Sequence, residues 1–429
     1  MVTRTKILYT LLICLILPGF AEPAAAQAAD TLQLSLPQAE KLFVQNNYQL
    51  IAQNYQTDQA RAEIITARLF DNPTLSAETQ LYNPDTKRFF ETSKTNGQYQ
   101  ASISQLVKLA GKRNKNIQLA TVGVKLAEYQ YFDLMRTLRY NLRANFYKTY
   151  YAQQSAKLYE QQITSLQKLL SASEVQLKAG NIAVKDMIRI KSLLYSLQTE
   201  YNNLENNIED MQTDLKLMTN IKPDSNIKLV MDPAEEKNYQ LDKTVYVNLL
   251  DSARNNRADL KLTQAGIAYA EKSLMVQKAL AVPDVQFSLV YDLQGSYPNN
   301  YTGLGLSIPL PLFNRNQGEI KKAKIAVDAG KTFLDQQEAT LENEVFNSYK
   351  TAQRTETLYK GIDQNFNTDF DKLINEVIKN FKSRNLSLVE FMDFYDSYRQ
   401  STLQMNDMKY QRMNAKEEIN YVTGSTIFN

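Results

Sequence analysis

The side chains able to do chemistry in this sequence form a restricted set. Its 429 residues contain no His and no Trp, and the sole Cys is Cys14. That excludes a disulfide framework, a Cys/His zinc centre and every nucleophile or general base that depends on His. Carboxylates, Lys and Tyr remain. Glu390 and Asp393 have suggestive spacing: three residues apart in a Pro-free stretch, they share one side of a helix. A carboxylate pair of that kind is ordinarily a solvated helix face, here near Lys382 and Arg384. No Gly-rich phosphate loop, Ser elbow or metal-ligand cluster accompanies it, so neither cofactor nor metal is expected, and an enzyme would have to work with carboxylates alone. Lys plus Arg is 49 against 46 for Asp plus Glu, a net charge of +3. That balance lacks the clustered basic excess nucleic acid requires.

The elements that would position such residues begin after an export signal. Arg4 and Lys6 precede the apolar run Ile7 to Leu17, Pro18 and Gly19 end it, and Ala24-Ala25-Ala26 is a small-residue cleavage site. This is the three-part pattern of a secretory signal over residues 1–26. The run is too short for a spanning helix, which needs ~20 residues. Cys14 sits inside the apolar core rather than behind a small residue, which argues against a lipid anchor. Nothing later is apolar enough for a transmembrane helix, leaving a soluble exported protein or a β-barrel.

The rest of the chain is written twice. Asn46 lies 27 residues before Pro73, as Asn256 does before Pro283. Ile117 to Val124 parallels Ile320 to Val327, and Leu177 to Ile182 parallels Phe381 to Leu386. Matches in one order at an offset of about 205 residues indicate duplication. The expected division is a first repeat over 27–220, a connector over 221–242 holding Pro223 and Pro233, and a second repeat over 243–429. Each repeat reads helix, strand, strand, very long helix, tip, helix.

Four strands are expected, at about 74–83, 97–107, 284–294 and 301–310. In each, apolar residues alternate with polar or small ones: Leu75, Ala77 and Leu81 with Ser76, Glu78 and Gln80, and Leu304, Leu306 and Ile308 with Gly303, Gly305 and Ser307. Period-two alternation marks a strand with one apolar and one wet face. The segments are long enough to cross a bilayer obliquely, although soluble antiparallel sheets share the pattern. Tyr82, Tyr99, Tyr291, Tyr297 and Tyr301, near strand ends, read as an aromatic girdle.

The helices are expected to be long. No Pro occurs between Pro84 and Pro223 or after Pro311, and Gly123 is the only Gly from Lys112 to Lys178. A continuous helix there would be about 100 Å long. Leu166, Ser173 and Leu177, like Leu334, Leu341 and Val345, make the narrow seam of a coiled coil. Gly180-Asn181 and Arg384-Asn385 interrupt the helices at equivalent places, as turns needing positive φ do.

If the strands lie in lipid, four cannot close a barrel, and open edges in hydrocarbon cost several kcal/mol per unpaired group. Subunits must then share one wall. Two chains would give eight strands with a filled interior; three would give twelve, with room for water.

The sequence resembles the outer-membrane efflux protein family of which TolC is the type member, over essentially the whole mature chain. The features that carry the likeness are the duplicated halves, the hairpins after Pro73 and Pro283, and the interrupted long helices. The stretch Gly305-Leu306-Ser307-Ile308-Pro309-Leu310-Pro311-Leu312-Phe313-Asn314-Arg315-Asn316-Gln317-Gly318-Glu319-Ile320, with Leu109-Ala110-Gly111-Lys112-Arg113, is similar to the cation-efflux branch typified by CzcC and CusC.

The resemblance implies a mainly α homotrimer whose twelve-stranded barrel, four strands per chain, sits in the outer membrane and continues as a long periplasmic α-helical barrel. It implies a passive exit duct, gated at its periplasmic tip and served by a periplasmic adaptor and an inner-membrane pump of the resistance-nodulation-division type, for metal cations or drugs. It places an acidic ring at the periplasmic aperture, matched here by Glu390 and Asp393 with Asp186 as first-half counterpart. Six carboxylates around a throat would favour cations, and like-charge crowding would raise their pKa values. Leu386 stands where the type member carries a basic latch, which puts a latch at that position in doubt. Gly180, Asn181, Ile182, Val184, Arg384, Asn385, Leu386 and Leu388 would form the tips on which adaptor helices dock, though the apolar ones also suit the seam. A channel paired with a protein-secretion pump fits the same residues, and a periplasmic coiled-coil adaptor is a weaker alternative, since it should not carry two repeated strand pairs.

Overall fold

The computed structural model describes residues 31–294, 299–363, 366–383 and 385–428. The signal segment, Cys14, Tyr297 and Arg384 therefore lie outside the described residues.

Strand β1 (Leu32–Ser35) opens the described chain, followed by helices α1 (Leu36–Asn46) and α2 (Tyr48–Arg68). Asn47 separates the two helices and caps the second, accepting from the N–H groups of Gln49 and Leu50. Next come β2 (Thr74–Thr79), a small ribbon of β3 (Tyr82–Asn83) with β4 (Arg88–Phe89), and β5 (Tyr99–Val107). Helix α3 runs unbroken over Lys112–Lys178, as the absence of breakers predicts, and α4 (Val184–Thr219) returns beside it.

The second half repeats this order with α6 (Tyr246–Asn256), α7 (Ala258–Leu280), β7 (Val285–Asp292), β8 (Tyr301–Ser307), α8 (Gln317–Gly361), α9 (Phe366–Lys382) and α10 (Leu388–Thr423). It departs from expectation in one respect. The long helix ends at Gly361 and a new one begins at Phe366, whereas α3 passes the corresponding level intact. Gly361 is the local signal: glycine carries the highest helix cost of any residue but proline.

The connector is more than a linker. It holds β6 (Ile227–Val230), which pairs in parallel with β1, and α5 (Pro233–Asn238). The Gln153 side chain of α3 donates to the Ile227 carbonyl and accepts from the Leu229 N–H, so its amide satisfies backbone groups of β6 as another strand would.

β2, β5, β7 and β8 form one antiparallel sheet in that order. The two halves meet at β5 and β7, and β2 and β8 are its outer edges. The ladders are shorter than the expected spans. Pro309 lacks the N–H to continue β8, and β2 gives way at Gln80 to the ribbon. Every helix joined to this sheet leaves from one end, and the hairpins turn at the other. Among the described residues, no helix is long and apolar enough to cross a membrane.

Helix α3 is the spine, packed against α2, α4, α7 and α10. Leu142, Phe146, Tyr147 and Tyr151 enter a core with Phe43, Leu50, Leu215 and Leu229 near mid-length. Leu166 and Ser173 are buried further along, and Leu341 and Val345 on α8, so the narrow seams inferred from spacing are the packed ones. Each large apolar side chain so buried contributes ~1.5–3 kcal/mol relative to exposure.

Candidate functional site

The end of the molecule furthest from the sheet is built by two turns. At the first, Gly180 takes φ +74°. Its N–H donates to the Leu177 carbonyl at 2.9 Å and that of Asn181 to Gln176 at 2.8 Å. This pair of bonds is a Schellman closure, and positive φ explains the glycine. At the second turn the Asn385 N–H donates to the Asn380 carbonyl at 2.9 Å, the same six-to-one bond at the equivalent place. Gly180, Asn181 and Asn385 are all exposed.

Each turn launches a helix with an acid third in line, Asp186 in α4 and Glu390 in α10. The two ends are capped differently. Ser387 and Glu390 form a capping box: the Ser387 hydroxyl and N–H donate to Glu390 Oε2 at 2.6 and 2.9 Å, and the Glu390 N–H donates back to the hydroxyl at 3.3 Å. In the first half Ala183 stands at the cap and offers no hydroxyl. The Ser387 hydrogen bonds, side chain first and backbone second, hold the exposed Glu390 carboxyl below the usual carboxylate range. Within one chain its shift is thus opposite to the rise that crowding would cause. The S-x-x-E signature was present in the sequence and was overlooked there. Asp393, one turn on, is exposed. Among the described residues, no hydrogen bond or ion pair links Asp186, Glu390 and Asp393 to one another, and no group of His, Cys, Asp or Glu is placed to hold a metal ion.

The apolar tip residues divide. Leu386 and Leu388 lean against the chain's own cluster around Phe391, Tyr395, Leu166 and Leu197, as seam residues do. Val184 points out and is 61% exposed, as are Ile188 and Val389. Ile182 is half-buried.

Above the tips, α10 is tied to the first-half helices. The Tyr395 hydroxyl donates to the Gln162 carbonyl of α3 at 2.9 Å, in a buried setting. Arg399 donates to Glu200 Oε2 of α4 at 2.7 Å, and Tyr159 of α3 donates to the same oxygen at 3.0 Å. The absence of a basic residue at 386 thus leaves another cross-link in place, about three turns along α10. Sequence reasoning missed it because partners about 200 residues apart leave no periodic trace.

At the opposite end, strand register sorts the sheet into two faces. Leu75, Ile103, Leu289 and Leu304 line up across the four strands, as do Ala77, Ala101, Tyr291 and Thr302. The other face carries the rows Ser76, Ser102, Val290, Gly303 and Glu78, Gln100, Asp292, Tyr301. The apolar face is bare: Leu304 is 82% exposed and Leu75 76%, with Ile103, Phe287, Leu289 and Leu306 also exposed. Tyr99 and Tyr291 lie on it at its hairpin end, their ring centroids 6.2 Å apart. Tyr301 is on the polar face instead, so it is not part of a girdle as its position in sequence suggested.

Helices prolonging every strand of a sheet with one bare apolar face are the layout of a membrane-anchored duct. The sequence profile described as outer membrane efflux protein matches residues 41–220 and 249–366. The chain belongs to this family. It is therefore an efflux channel rather than an enzyme. It is 25% identical over 346 residues to the cobalt-zinc-cadmium resistance protein CzcC of Cupriavidus metallidurans, covering 78% of each chain.

The fold is shared with solved outer-membrane channels. The CmeC channel of Campylobacter jejuni superposes with a TM-score of 0.72 at 14% identity, over 92% of this chain and 87% of that one. CusC, described in terms of transmembrane channel formation, gives 0.71 at 14% identity, over 91% and 92%. In this efflux protein the tips and the sheet lie at opposite ends, with helices between.

Proposed function

We propose that three copies of this chain close a single twelve-stranded barrel in the outer membrane, and that the helices continue it into the periplasm as the exit duct of a tripartite efflux system. The observation that carries this reading is the four-stranded sheet with two free edges, β2 and β8, and a bare apolar face. In hydrocarbon those edges must pair, and pairing β8 of one copy with β2 of the next closes the wall. The polar rows, rich in Ser, Gly, Gln and carboxylates, then face a wet lumen.

Three copies bring Glu390 and Asp393 around the periplasmic aperture, with Asp186 on the neighbouring helix ends, and make the throat favour cations. Val184 and Ile182, with the turns at Gly180-Asn181 and Asn385, offer the docking surface for adaptor helices. Arg384 belongs to the same turn in sequence and lies outside the described residues. Leu386 and Leu388 stiffen the tip from within. The similarity to the cobalt-zinc-cadmium resistance protein CzcC supports metal cations as cargo. On this reading an adaptor and a resistance-nodulation-division pump deliver them. Cargo selection then belongs to the pump.

Light scattering or native mass spectrometry of the detergent-purified mature chain tests the assembly, with a trimer expected. A monomer that stays soluble without detergent overturns it. Mass spectrometry of co-purified partners tests the cargo, and a drug pump or a protein-secretion pump in place of a metal pump overturns the cation assignment while leaving the duct intact.

A further inference from the structure

Two glycines on the polar face of β8, Gly303 and Gly305, need a reason. Glycine weakens a strand interior unless something approaches closely. Neither is among the positive-φ residues, which include Gly111, Gly180 and Gly424, so the backbone does not demand glycine there. The reason is space. A Cβ on Gly303 would overlap the ring of Tyr301, and one on Gly305 would overlap the Ser288 hydroxyl.

Tyr301 and Gly303 are two residues apart and share the polar face. The Tyr301 ring therefore lies down along its own strand, over the bare backbone of Gly303, instead of standing away from the wall. It does so beside the hairpin end of the sheet, opposite Asp292 and in the row with Gln100 and Glu78.

We propose that Gly303 is a berth for the Tyr301 ring, and that this pair sets the width of the outer mouth of the channel. The inference rests on the trimeric pore, in which three copies put three such rings at one level of the lumen. With the berth open the rings lie against the wall and the mouth is wide. With the berth filled they swing into the lumen and the mouth narrows. Large solutes are excluded by the second arrangement and admitted by the first, so the pair sets the upper size limit of the duct, while the choice among cargo below that limit stays with the pump.

The test uses the purified trimer in planar bilayers, with neutral polymers of graded size added on the hairpin side. Polymers that enter the mouth lower the conductance and define a size cut-off. Gly303→Ala should lower the cut-off, Tyr301→Ala should leave it at or just above the wild-type value, and the double variant should match Tyr301→Ala. Equal cut-offs in all four proteins overturn the proposal, as does a double variant that stays narrow. If Gly303→Ala fails to assemble, Gly303→Ser takes its place, and a cut-off unchanged from the wild type rejects the berth. Absence of any channel from the wild-type trimer is a different failure, which removes the pore reading itself.

Discussion

Arg399 of α10 donates to the Glu200 carboxylate of α4 at 2.7 Å, joining two helices that belong to different halves of the chain. Tyr159 of α3 donates to the same oxygen, so three helices meet on one carboxylate. Burial first, and Glu200 second, push the Tyr159 hydroxyl up to about 12. Arg399 also faces Asp396 of its own helix at 3.3 Å.

This tie should hold α10 against α3 and α4 when the proposed tip gate is shut. Glu200 is partly exposed, so solvent screens the pair and its loss should cost about 1–2 kcal/mol. Arg399→Ala is expected to raise the ratio of open to closed channel on the order of ten-fold, read as single-channel open probability. An unchanged open probability would show that the tie has no part in gating.

The carboxylates proposed to ring the throat predict selectivity. Joint replacement Glu390→Gln and Asp393→Asn should move the reversal potential in a salt gradient toward zero. Ser387→Ala removes the hydroxyl that holds the Glu390 carboxyl low. Acid loss of cation preference should then set in at a higher pH than in the wild type. Identical titrations would dissociate Glu390 from selectivity.

Neighbouring residues of one strand test the face assignment. Ile103 lies on the apolar face of β5 and Ser102 on the polar face. An arginine in the middle of the lipid face costs about 2–4 kcal/mol, whereas lumen positions tolerate charge. Ile103→Arg should reduce the yield of heat-resistant trimer on a gel, and Ser102→Arg should leave it near normal while altering conductance. The reverse pattern would turn the sheet inside out.

Acid stability follows from Asp259 at the start of α7. Burial raises its pKa, but hydrogen bonding from Arg257 and the charges of Arg136 and Arg257 outweigh burial and leave it lowered. A carboxyl lowered on folding contributes stability above its unfolded value, ~3.9, and loses it as pH falls through the folded value. Asp259→Asn should destabilise the fold near pH 7 by about 1.5–3 kcal/mol, the range for hydrogen bonds to a charge, seen as a lower thermal midpoint, and should flatten the midpoint's fall below pH 4. A parallel acid limb in both proteins would contradict this.

The buried pair Arg412 and Glu356 makes a sharper case. Arg412 donates to Glu356 at 2.7 Å and to the carbonyls of Glu236 and Tyr239, between the rings of Tyr239 and Tyr359. Glu356→Leu alone strands a buried guanidinium and should cost about 3–5 kcal/mol. Glu356→Leu with Arg412→Met should recover most of that in thermal denaturation. A double variant no better than the single one would mean that Arg412 serves chiefly through the two carbonyls.

Local regularities were legible before any coordinates. The run without Pro from Lys112 to Lys178 reads as one helix and is one, because helix propagation depends on near neighbours in sequence. Alternation at Leu304 and Leu306 marks the apolar face of β8 because side chains of a strand change sides at every residue. Gly180 announces the first turn because only a left-handed residue closes it cheaply. The capping box at Ser387 and Glu390 was equally local and equally readable.

What tertiary structure alone decided are the meetings between distant segments. The two halves join by pairing β5 with β7, Gln153 completes the edge of β6, Arg399 finds Glu200, and the Tyr301 ring settles on Gly303 rather than joining Tyr99 and Tyr291 on the apolar face. Period and composition specify which way a side chain points along its own element. They carry no information about which other element stands opposite, because that is chosen by the packing of the whole chain, where registers and rotamers separated by hundreds of residues are settled together.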